Sequence, residues 1–464
     1  MMTALNPANS ENLESYVNKD GIKVIERFFN LPLDYANPTG EKIRVFARHL
    51  IPVKKAKTEE EEAKLPYSEL FCCTCKAAQD LKSICRGALD FRERFTSKDT
   101  RHTLWLDPRG TGLSTHISPE SLPARLKTDQ DKADYLKHFR ADSIVRDCEE
   151  IRKALIGDKP NPEDRKWTLM GQSFGGFCII TYLSFFSSGL KEVFIAGGLA
   201  PLHHHPDRVY AALIPVLRKR NEIYYKKYPQ DIKRIRDIIA YLEANEVTLP
   251  NGGRLSVSRW LQLGIHFGFH GGIDRIHQIV FRLTNDLELF GRPTYKTLQV
   301  IESKYSFDGN PIYAILHEPL YCQGVAPKWS AARVLGQDSQ FSWGHVKSLT
   351  DSEPIYFAGE MVFPDAFDDF VNLRPLKGAA EILANDSSWG PLYDIEQLRK
   401  NVVKVTAATY VNDMYVEFGL AQETASIIAN TEQYITNQLN HDGIRADAKD
   451  VMKRLFEISK REYD

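Results

Sequence analysis

The sequence has few of the features that mark secreted, membrane-embedded or nucleic-acid-binding proteins. Its seven cysteines, an odd number without regular spacing, argue against a disulfide framework and predict a reducing compartment, so we expect the protein in the cytosol. The N-terminus lacks a basic start followed by an apolar run, so no signal peptide is expected. No apolar stretch reaches the roughly 18 residues that a membrane-spanning helix needs.

A strong charge of either sign is also absent. The chain has 60 Lys and Arg against 61 Asp and Glu, a formal net charge of −1. This balance predicts no attraction to nucleic acid or to an anionic membrane. With 464 residues, 43% of them hydrophobic, the chain is long enough for a large core and two domains.

Strand and helix patterns alternate in the first part of the chain. The stretches "EKIRVFARHLIPV" (41–53) and "TLWLD" (103–107) read as strands, and so do "KWTLMG" (166–171) and "KEVFIAGGLAPL" (191–202). Between the second and third of these, one helical face carries the apolar residues Ile144, Cys148, Ile151 and Leu155. The order of strand, helix, strand, helix, strand predicts an α/β fold, a mostly parallel central sheet flanked by helices.

A different pattern begins at about residue 203, where long polar helical stretches replace the strand signals. The strand pattern returns at "NVVKVTAATYVND" (401–413). We therefore predict an α/β core in two parts, residues 1–202 and 386–464, with a mainly helical cap domain, residues 203–385, inserted between them.

The strongest chemical motif is "GQSFGG" (171–176), a Gly-x-Ser-x-Gly sequence between a short apolar strand and a helix. In that context the motif predicts a sharp strand-to-helix turn that lifts the Ser173 hydroxyl clear of the sheet as a nucleophile. The glycines leave out side chains that would crowd the turn. The alternative is a turn that merely contains a serine.

A serine nucleophile needs a base and an acid that orients the base, and in this architecture both follow later strands. Asp413 ends the strand pattern "VTAATYVND" (405–413), and His441 lies in a loop before the last helix. Of the 13 histidines, only His441 lies beyond residue 345. The rival acids are Asp365, Asp368 and Asp369, which fall within the predicted cap rather than at a strand end.

Several blocks in order resemble one enzyme family. They are "DPRGTGLST" (107–115), "GQSFGGFCIITYLSF" (171–185), "AGGLAPL" (196–202), "ILHEPLY" (315–321), "AGEMVFPDAF" (358–367), "WGPLYD" (389–394), "YVNDMYVE" (410–417) and "NHDGIR" (440–445). Together they resemble the larger bacterial and fungal form of the proline iminopeptidases, or prolyl aminopeptidases, which have the α/β-hydrolase fold. The resemblance covers most of the chain from about residue 40.

The resemblance implies a serine aminopeptidase that releases N-terminal proline without a metal or cofactor. Ser173, Asp413 and His441 fall on the family's triad positions, and the Phe174 N–H would supply half of an oxyanion hole. The family's cap places carboxylates where the free amine of a peptide or amino-acyl amide binds, and Glu318 and Glu360 match by position. A structural salt bridge is the alternative role for each glutamate. A related hydrolase acting on other small amides or esters is the alternative function.

The chain departs from the family in two places. Pro108 stands where the family usually has glutamine, and "FCCTCKAAQD" (71–80) stands where the family has a strand running into Gly-Gly-Pro-Gly. That glycine turn presents the second backbone N–H to the oxyanion, and losing one such donor can cost on the order of a hundredfold in rate. The departure makes a catalytically impaired member of the family a third reading.

The odd segment has an explanation at the level of codons. Read from the third base of each codon, residues 71–80 can encode Leu-Leu-Tyr-Leu-Gln-Gly-Gly-Pro-Gly, a strand followed by the missing turn. We therefore hypothesise that a segment beginning near residue 70 is translated out of frame and that the frame returns by "LWLD" at 104. A genuinely divergent loop and a metal or redox site are the alternatives, although Cys-Cys-x-Cys lacks the usual spacing of zinc ligands.

Overall fold

A nine-stranded sheet forms the centre of the protein in the computed structural model, which describes residues 10–18, 21–52, 67–71, 102–202 and 205–461. In chain order the strands are β1 (Ser10–Val17), β2 (Ile22–Pro32), β3 (Lys42–Pro52), β4 (Tyr67–Phe71), β5 (His102–Asp107), β6 (Trp167–Gln172), β7 (Leu190–Ala196), β8 (Lys404–Tyr410) and β9 (Thr431–Thr436).

The strands lie side by side in the order β1-β2-β3-β5-β4-β6-β7-β8-β9. The first three pair antiparallel with their neighbours, and β3 is antiparallel to β5. From β5 to β9 every pair is parallel. A mostly parallel sheet whose β4 and β5 exchange places is the α/β-hydrolase arrangement, so the predicted fold class is confirmed.

Helices connect and cover the strands. Those in the described residues are α1 (Asp129–Leu136), α2 (Ala141–Ile156), α3 (Phe174–Phe185), α4 (Pro206–Lys227), α5 (Asp231–Ala244), α6 (Val257–Leu261), α7 (Gly272–Phe290), α8 (Tyr295–Lys304), α9 (Pro311–Leu316), α10 (Ser330–Leu335), α11 (Trp343–Lys347), α12 (Ala366–Asp369), α13 (Lys377–Ala384), α14 (Ile395–Arg399), α15 (Phe418–Ile427), α16 (Gly443–Ala446) and α17 (Ala448–Ser459). Short 3₁₀ turns fall between several of them, among them Gln262–Gly268 and Pro319–Tyr321.

Both faces of the parallel sheet are covered, which is why β6 is buried along its whole length. Leu169 packs into the main core with helices α2 and α3, whereas its neighbour Met170 packs on the other face against α17. The predicted face of α2 lies in the core, with Ile144, Cys148 and Ile151 fully buried.

The chain between β7 and β8 adds no strand to the sheet in its described residues and consists mainly of helices α4 to α14. This region contains the predicted cap, 203–385. Across the described ranges, no helix is both long and apolar enough to cross a membrane.

Candidate active site

Ser173 occupies a strained turn between the end of β6 and the start of α3. Its backbone has φ 57° and ψ −123°, a conformation that residues other than glycine rarely adopt. The Ser173 N–H donates to the Ala196 carbonyl at the end of the neighbouring β7, at 3.0 Å. The serine hydroxyl does not cap its own helix, so it is available for another partner.

The glycines around Ser173 are required by the tightness of the turn. A Cβ atom on Gly171 would lie 2.3 Å from the Gly175 carbonyl carbon, and one on Gly176 would lie 2.4 Å from the Gly198 carbonyl oxygen. Both distances are shorter than any tolerable contact with backbone atoms. The motif therefore has a steric cause at Gly171, and Gly176 lets α3 pack onto the loop that follows β7.

The Phe174 N–H is the first amide of α3, where the helix offers it no carbonyl partner. Among the described residues it donates no hydrogen bond to the protein. A free amide at a helix N-terminus favours negative charge nearby, since the helix dipole adds to the hydrogen bond. This position therefore suits an oxyanion formed next to Ser173.

His441 joins Ser173 to Asp413 by two hydrogen bonds. Its Nε2 lies 2.9 Å from the Ser173 hydroxyl, and its Nδ1 lies 2.8 Å from Asp413 Oδ2. The other carboxylate oxygen, Oδ1, accepts the backbone N–H groups of Tyr415 at 2.8 Å and Val416 at 3.0 Å. The acid is thus fixed by the turn after β8, and it in turn fixes the imidazole.

The electrostatics of the site favour a positively charged imidazole. Burial acts to lower the pKa of His441, but the charge of Asp413, the hydrogen bond that the imidazole donates to that carboxylate and the charge of Glu360 outweigh it, so the pKa is raised. Arg445 opposes the rise weakly. An imidazole that gains a proton readily is suited to take one from a serine hydroxyl.

The rival acids have other partners. Asp368 accepts two hydrogen bonds from Lys377, both at 2.7 Å, and Asp369 accepts the Ser256 hydroxyl. Neither they nor Asp365 bond to a histidine within the described part of the chain. Within the same residues, no three His, Cys, Asp or Glu side chains form a group that could hold a metal ion.

Glu360 belongs to the predicted cap, and its charge contributes to the raised pKa of His441. Its Oε1 accepts the Tyr313 hydroxyl, whereas Oε2 receives no hydrogen bond from any residue that the structure describes. The side chain is partly exposed, and its charge acts on both His441 and the buried Tyr415. The carboxylate therefore has one oxygen without a hydrogen bond from the described residues.

Glu318 is placed differently. It is buried, and its two oxygens accept the backbone N–H groups of Ser330 at 2.9 Å and Ala331 at 2.8 Å, at the start of α10. Burial raises the pKa of Glu318 to about 7, although these two backbone bonds act to lower it. Burial raises the pKa of the Tyr210 hydroxyl well above its ordinary value, and the charges of Glu318 and Glu360 both add to the rise.

Two residues next to the triad were not predicted. Tyr415 packs its ring 4.3 Å from the His441 ring, and Asp442 bonds to the backbone N–H of His270 and, at 2.7 Å, to His270 Nδ1. Both lie inside blocks that carried the resemblance, Tyr415 two residues after Asp413 and Asp442 directly after His441. Their positions beside the triad were the signal that could have identified them.

Strand β4 ends close in the sheet to the turn that carries Ser173. Its last residue, Phe71, pairs with Gly171, two residues before Ser173. Residues 72–101 lie outside the described residues, and most of the segment "FCCTCKAAQD" falls among them. The hypothesis of an out-of-frame segment therefore stays a prediction from the sequence.

Two known proteins are similar to this chain over nearly their whole length. The proline iminopeptidase aneH of Aspergillus aculeatus is 40% identical over 438 residues, which are 94% of this chain and 93% of that protein. The proline iminopeptidase of Aeromonas sobria is 38% identical over 445 residues, 95% of this chain and 97% of that protein.

Solved structures are more distant. A proline iminopeptidase from Mycobacterium smegmatis aligns with 93% of this chain and 100% of its own, at 11% sequence identity and a TM-score of 0.39. The identity and the TM-score are too low to support a conclusion about this chain. No protein-family model matches the sequence.

Proposed function

The chain belongs to the proline iminopeptidase family, and from that premise we propose that it is a serine aminopeptidase that releases N-terminal proline from peptides. The observation that carries the proposal is the unbroken series of hydrogen bonds from Asp413 through His441 to Ser173, which is followed by the Phe174 N–H, an amide that no described residue accepts. A serine, an imidazole and a buried carboxylate in this geometry perform acyl transfer in unrelated folds.

In the proposed reaction the Ser173 oxygen attacks the carbonyl carbon of the N-terminal residue while its proton passes to His441 Nε2. The carbonyl oxygen becomes negatively charged and is stabilised by the Phe174 N–H. When the intermediate collapses, the bond to the leaving amine breaks and His441 donates the proton to that amine. A water molecule, activated by the same imidazole, then hydrolyses the acyl-serine ester.

We propose that Glu360 binds the free α-amine of the substrate. One of its oxygens has no hydrogen bond from a described residue, and its charge reaches His441, so an ammonium there would lie beside the reacting carbonyl. A carboxylate in a partly buried site forms a strong, charge-assisted hydrogen bond with an ammonium. Glu318 stays a second candidate, although both of its oxygens already hold α10.

Replacing each glutamate by glutamine should separate these roles. Glu360→Gln should raise KM for a prolyl amide by roughly ten- to a hundredfold, because a hydrogen bond to a charged group contributes about 1.5–3 kcal/mol. Glu318→Gln should mainly lower the melting temperature, since the amide can accept only one of the two N–H bonds. Steady-state kinetics and thermal melting of both variants test this. An unchanged KM in Glu360→Gln would assign the amine to another group.

The predicted cap, residues 203–385, supplies Glu318 and Glu360, and we propose that it closes over the substrate.

We further propose a reducing compartment such as the cytosol, since Cys178 and Cys322 are buried thiols and burial raises the pKa of Cys322 to about 12. The proposed substrates are peptides or amino-acyl amides with a free N-terminus.

A substrate panel tests the function directly. The purified chain should release the chromophore from a prolyl amide with a free amine, and it should act far more slowly on the N-acetylated prolyl amide. Alanyl and leucyl amides and simple esters are the comparison set. Faster turnover of esters or of other aminoacyl amides would contradict proline release and favour the related hydrolase as the function.

The missing glycine turn gives a further prediction. In the test variant, residues 71–79 are replaced by Leu-Leu-Tyr-Leu-Gln-Gly-Gly-Pro-Gly. Its kcat for a prolyl amide should be on the order of a hundredfold higher, because the replacement restores a second oxyanion donor. The supporting observation is that β4 ends at Phe71 beside Gly171, where that turn would meet the nucleophile.

The control for this variant keeps the same residues but has alanine in place of each restored glycine. Alanine cannot adopt the backbone conformations that the turn requires without strain, so no gain is expected. Equal kcat in the natural chain and the restored variant would show that the natural segment already supplies the donor or that the enzyme does without it.

A further inference from the structure

The loop that carries His441 is attached to the predicted cap by its next residue. Asp442 stands at the N-cap position of α16, where an aspartate would ordinarily accept an N–H of its own helix, but its side chain makes no such bond. Instead its carboxylate accepts the His270 backbone N–H at 3.1 Å and bonds to His270 Nδ1 at 2.7 Å. The carboxylate is therefore used for a contact between the core and the cap.

The same cap segment, residues 265–270, also holds the residue that packs on the imidazole. The Tyr415 ring lies 4.3 Å from the His441 ring on one side and stacks at 5.3 Å on Phe269 on the other. Its hydroxyl donates to the Ile265 carbonyl. Gly268 has no room for a side chain, because a Cβ there would lie 2.2 Å from the Tyr415 ring.

The segment is firmly held within the cap. Phe267 is fully buried and stacks at 4.9 Å on Tyr224 of α4, and Arg220 of the same helix donates to the Phe267 carbonyl. Arg275 of α7 donates to the His270 carbonyl at 2.8 Å. The cap thus presents a fixed surface to the two loops of the core that carry Asp413 and His441.

We infer that residues 265–270 form a positioning element for His441. They contact Tyr415, two residues after Asp413, and Asp442, one residue after His441. These contacts hold the imidazole at its angle between Asp413 and Ser173. Asp442, His270 and Tyr415 are positioning residues, since they act through His441 and need not touch substrate. The inference rests on the proposed role of His441 as the general base.

The test uses a reagent that reports on the serine and histidine without requiring proline recognition. With a fluorophosphonate, the Ser173 oxygen forms a bond to phosphorus, fluoride leaves, and the serine proton passes to His441. Asp442→Ala should reduce the maximal rate of this inactivation by roughly ten- to a hundredfold, because small misplacements of a catalytic group are that costly. The reagent's binding constant should change much less.

Two further variants sharpen the result. Asp442→Asn, which keeps an oxygen for the His270 N–H, should recover part of the rate. His270→Ala removes the Nδ1 contact alone and should lower the rate several-fold; combined with Asp442→Ala it should cause little additional loss, because both changes break the same contact.

Asp447→Ala is the matched control. Asp447 lies five residues after Asp442, between α16 and α17, and caps α17 by accepting the Asp450 N–H at 3.0 Å; among the described residues its side chain makes no hydrogen bond to residues 265–270. This variant should melt at a lower temperature and keep the wild-type inactivation rate. The inference is overturned if Asp442→Ala and Asp447→Ala lose rate equally, or if His270→Ala loses none. If the wild type reacts with the fluorophosphonate at a normal rate but does not turn over a prolyl amide, only the proposed function is refuted.

Discussion

Ser173→Ala is expected to lower kcat for a prolyl amide by on the order of a millionfold, leaving only what binding and the Phe174 N–H contribute. The alanine removes the single atom that forms the acyl ester, and no other hydroxyl is bonded to His441 among the described residues. Since the side chain is small and partly exposed, the fold should be retained. A burst of chromophore with the wild type and none with the variant would identify the acyl-enzyme.

Ser184→Ala is the matched control for this prediction. Ser184 lies in the same helix, α3, is 5% exposed, and donates its hydroxyl to the Ile180 carbonyl at 2.9 Å. Its loss removes one hydroxyl from the same element without touching the triad, so kcat should stay within a few-fold of the wild type. Comparable turnover by Ser173→Ala and the wild type would refute the assignment of the nucleophile.

The sequence was most informative where local pattern and tertiary environment agree. Strand β6 is buried on both faces and reads as a short apolar run, and the core-facing residues of α2 follow the helical period. The first two strands were not predicted. Ser10–Val17 is exposed throughout as the edge strand of the sheet, so its sequence "SENLESYV" has no apolar face to reveal it.

The candidate site also contains residues that the local pattern predicts and residues whose roles only the tertiary structure shows. Ser173 and Asp413 could be chosen because each lies at the end of a predicted strand, and parallel strands bring such positions to one edge of the sheet. His441 was chosen as the only histidine beyond residue 345, since the strand before it, β9, was not predicted. Glu318 and Glu360 could not be separated, since only the tertiary structure shows that Ser330 and Ala331 occupy the oxygens of the first.

The contact between Asp442 and His270 has no local pattern at all. It depends on where a segment of the cap, more than 150 residues earlier in the chain, meets the loop of the core. For the segment 71–80 the hypothesis of an out-of-frame translation was drawn from codons and not from any property of the folded chain, and it stays a prediction.

Asp413→Asn is expected to lower kcat by on the order of ten thousandfold, the loss seen when a triad aspartate is changed in this way. The reason lies in how the carboxylate is used. Its Oδ1 accepts the N–H groups of Tyr415 and Val416, and the asparagine oxygen will take that position because only an oxygen can accept them. The asparagine NH₂ then points at His441 Nδ1, which must become an acceptor.

That exchange moves the imidazole proton to Nε2, the atom that has to accept the proton of Ser173. The wrong tautomer thus removes the base while leaving the fold intact, so thermal melting should change far less than kcat. Asp369→Asn is the matched control, since Asp369 and Asp413 are both 2% exposed and Asp369 is one of the rival acids. Its kcat should stay within a few-fold of the wild type.

The pH dependence provides an independent reading of the same residue. The wild type needs a neutral His441, whose pKa is raised above its ordinary value of 6.5 by Asp413 and Glu360, so kcat/KM should fall as the pH drops through a midpoint above 6.5. In Asp413→Asn the largest raising contribution is gone and burial, which acts to lower the pKa, is not. The acid limb of the residual activity should therefore move to lower pH, measured from about pH 5 to about pH 9. A limb that stays in place would mean that Asp413 does not act on the base, and the acid of the triad would have to be sought elsewhere.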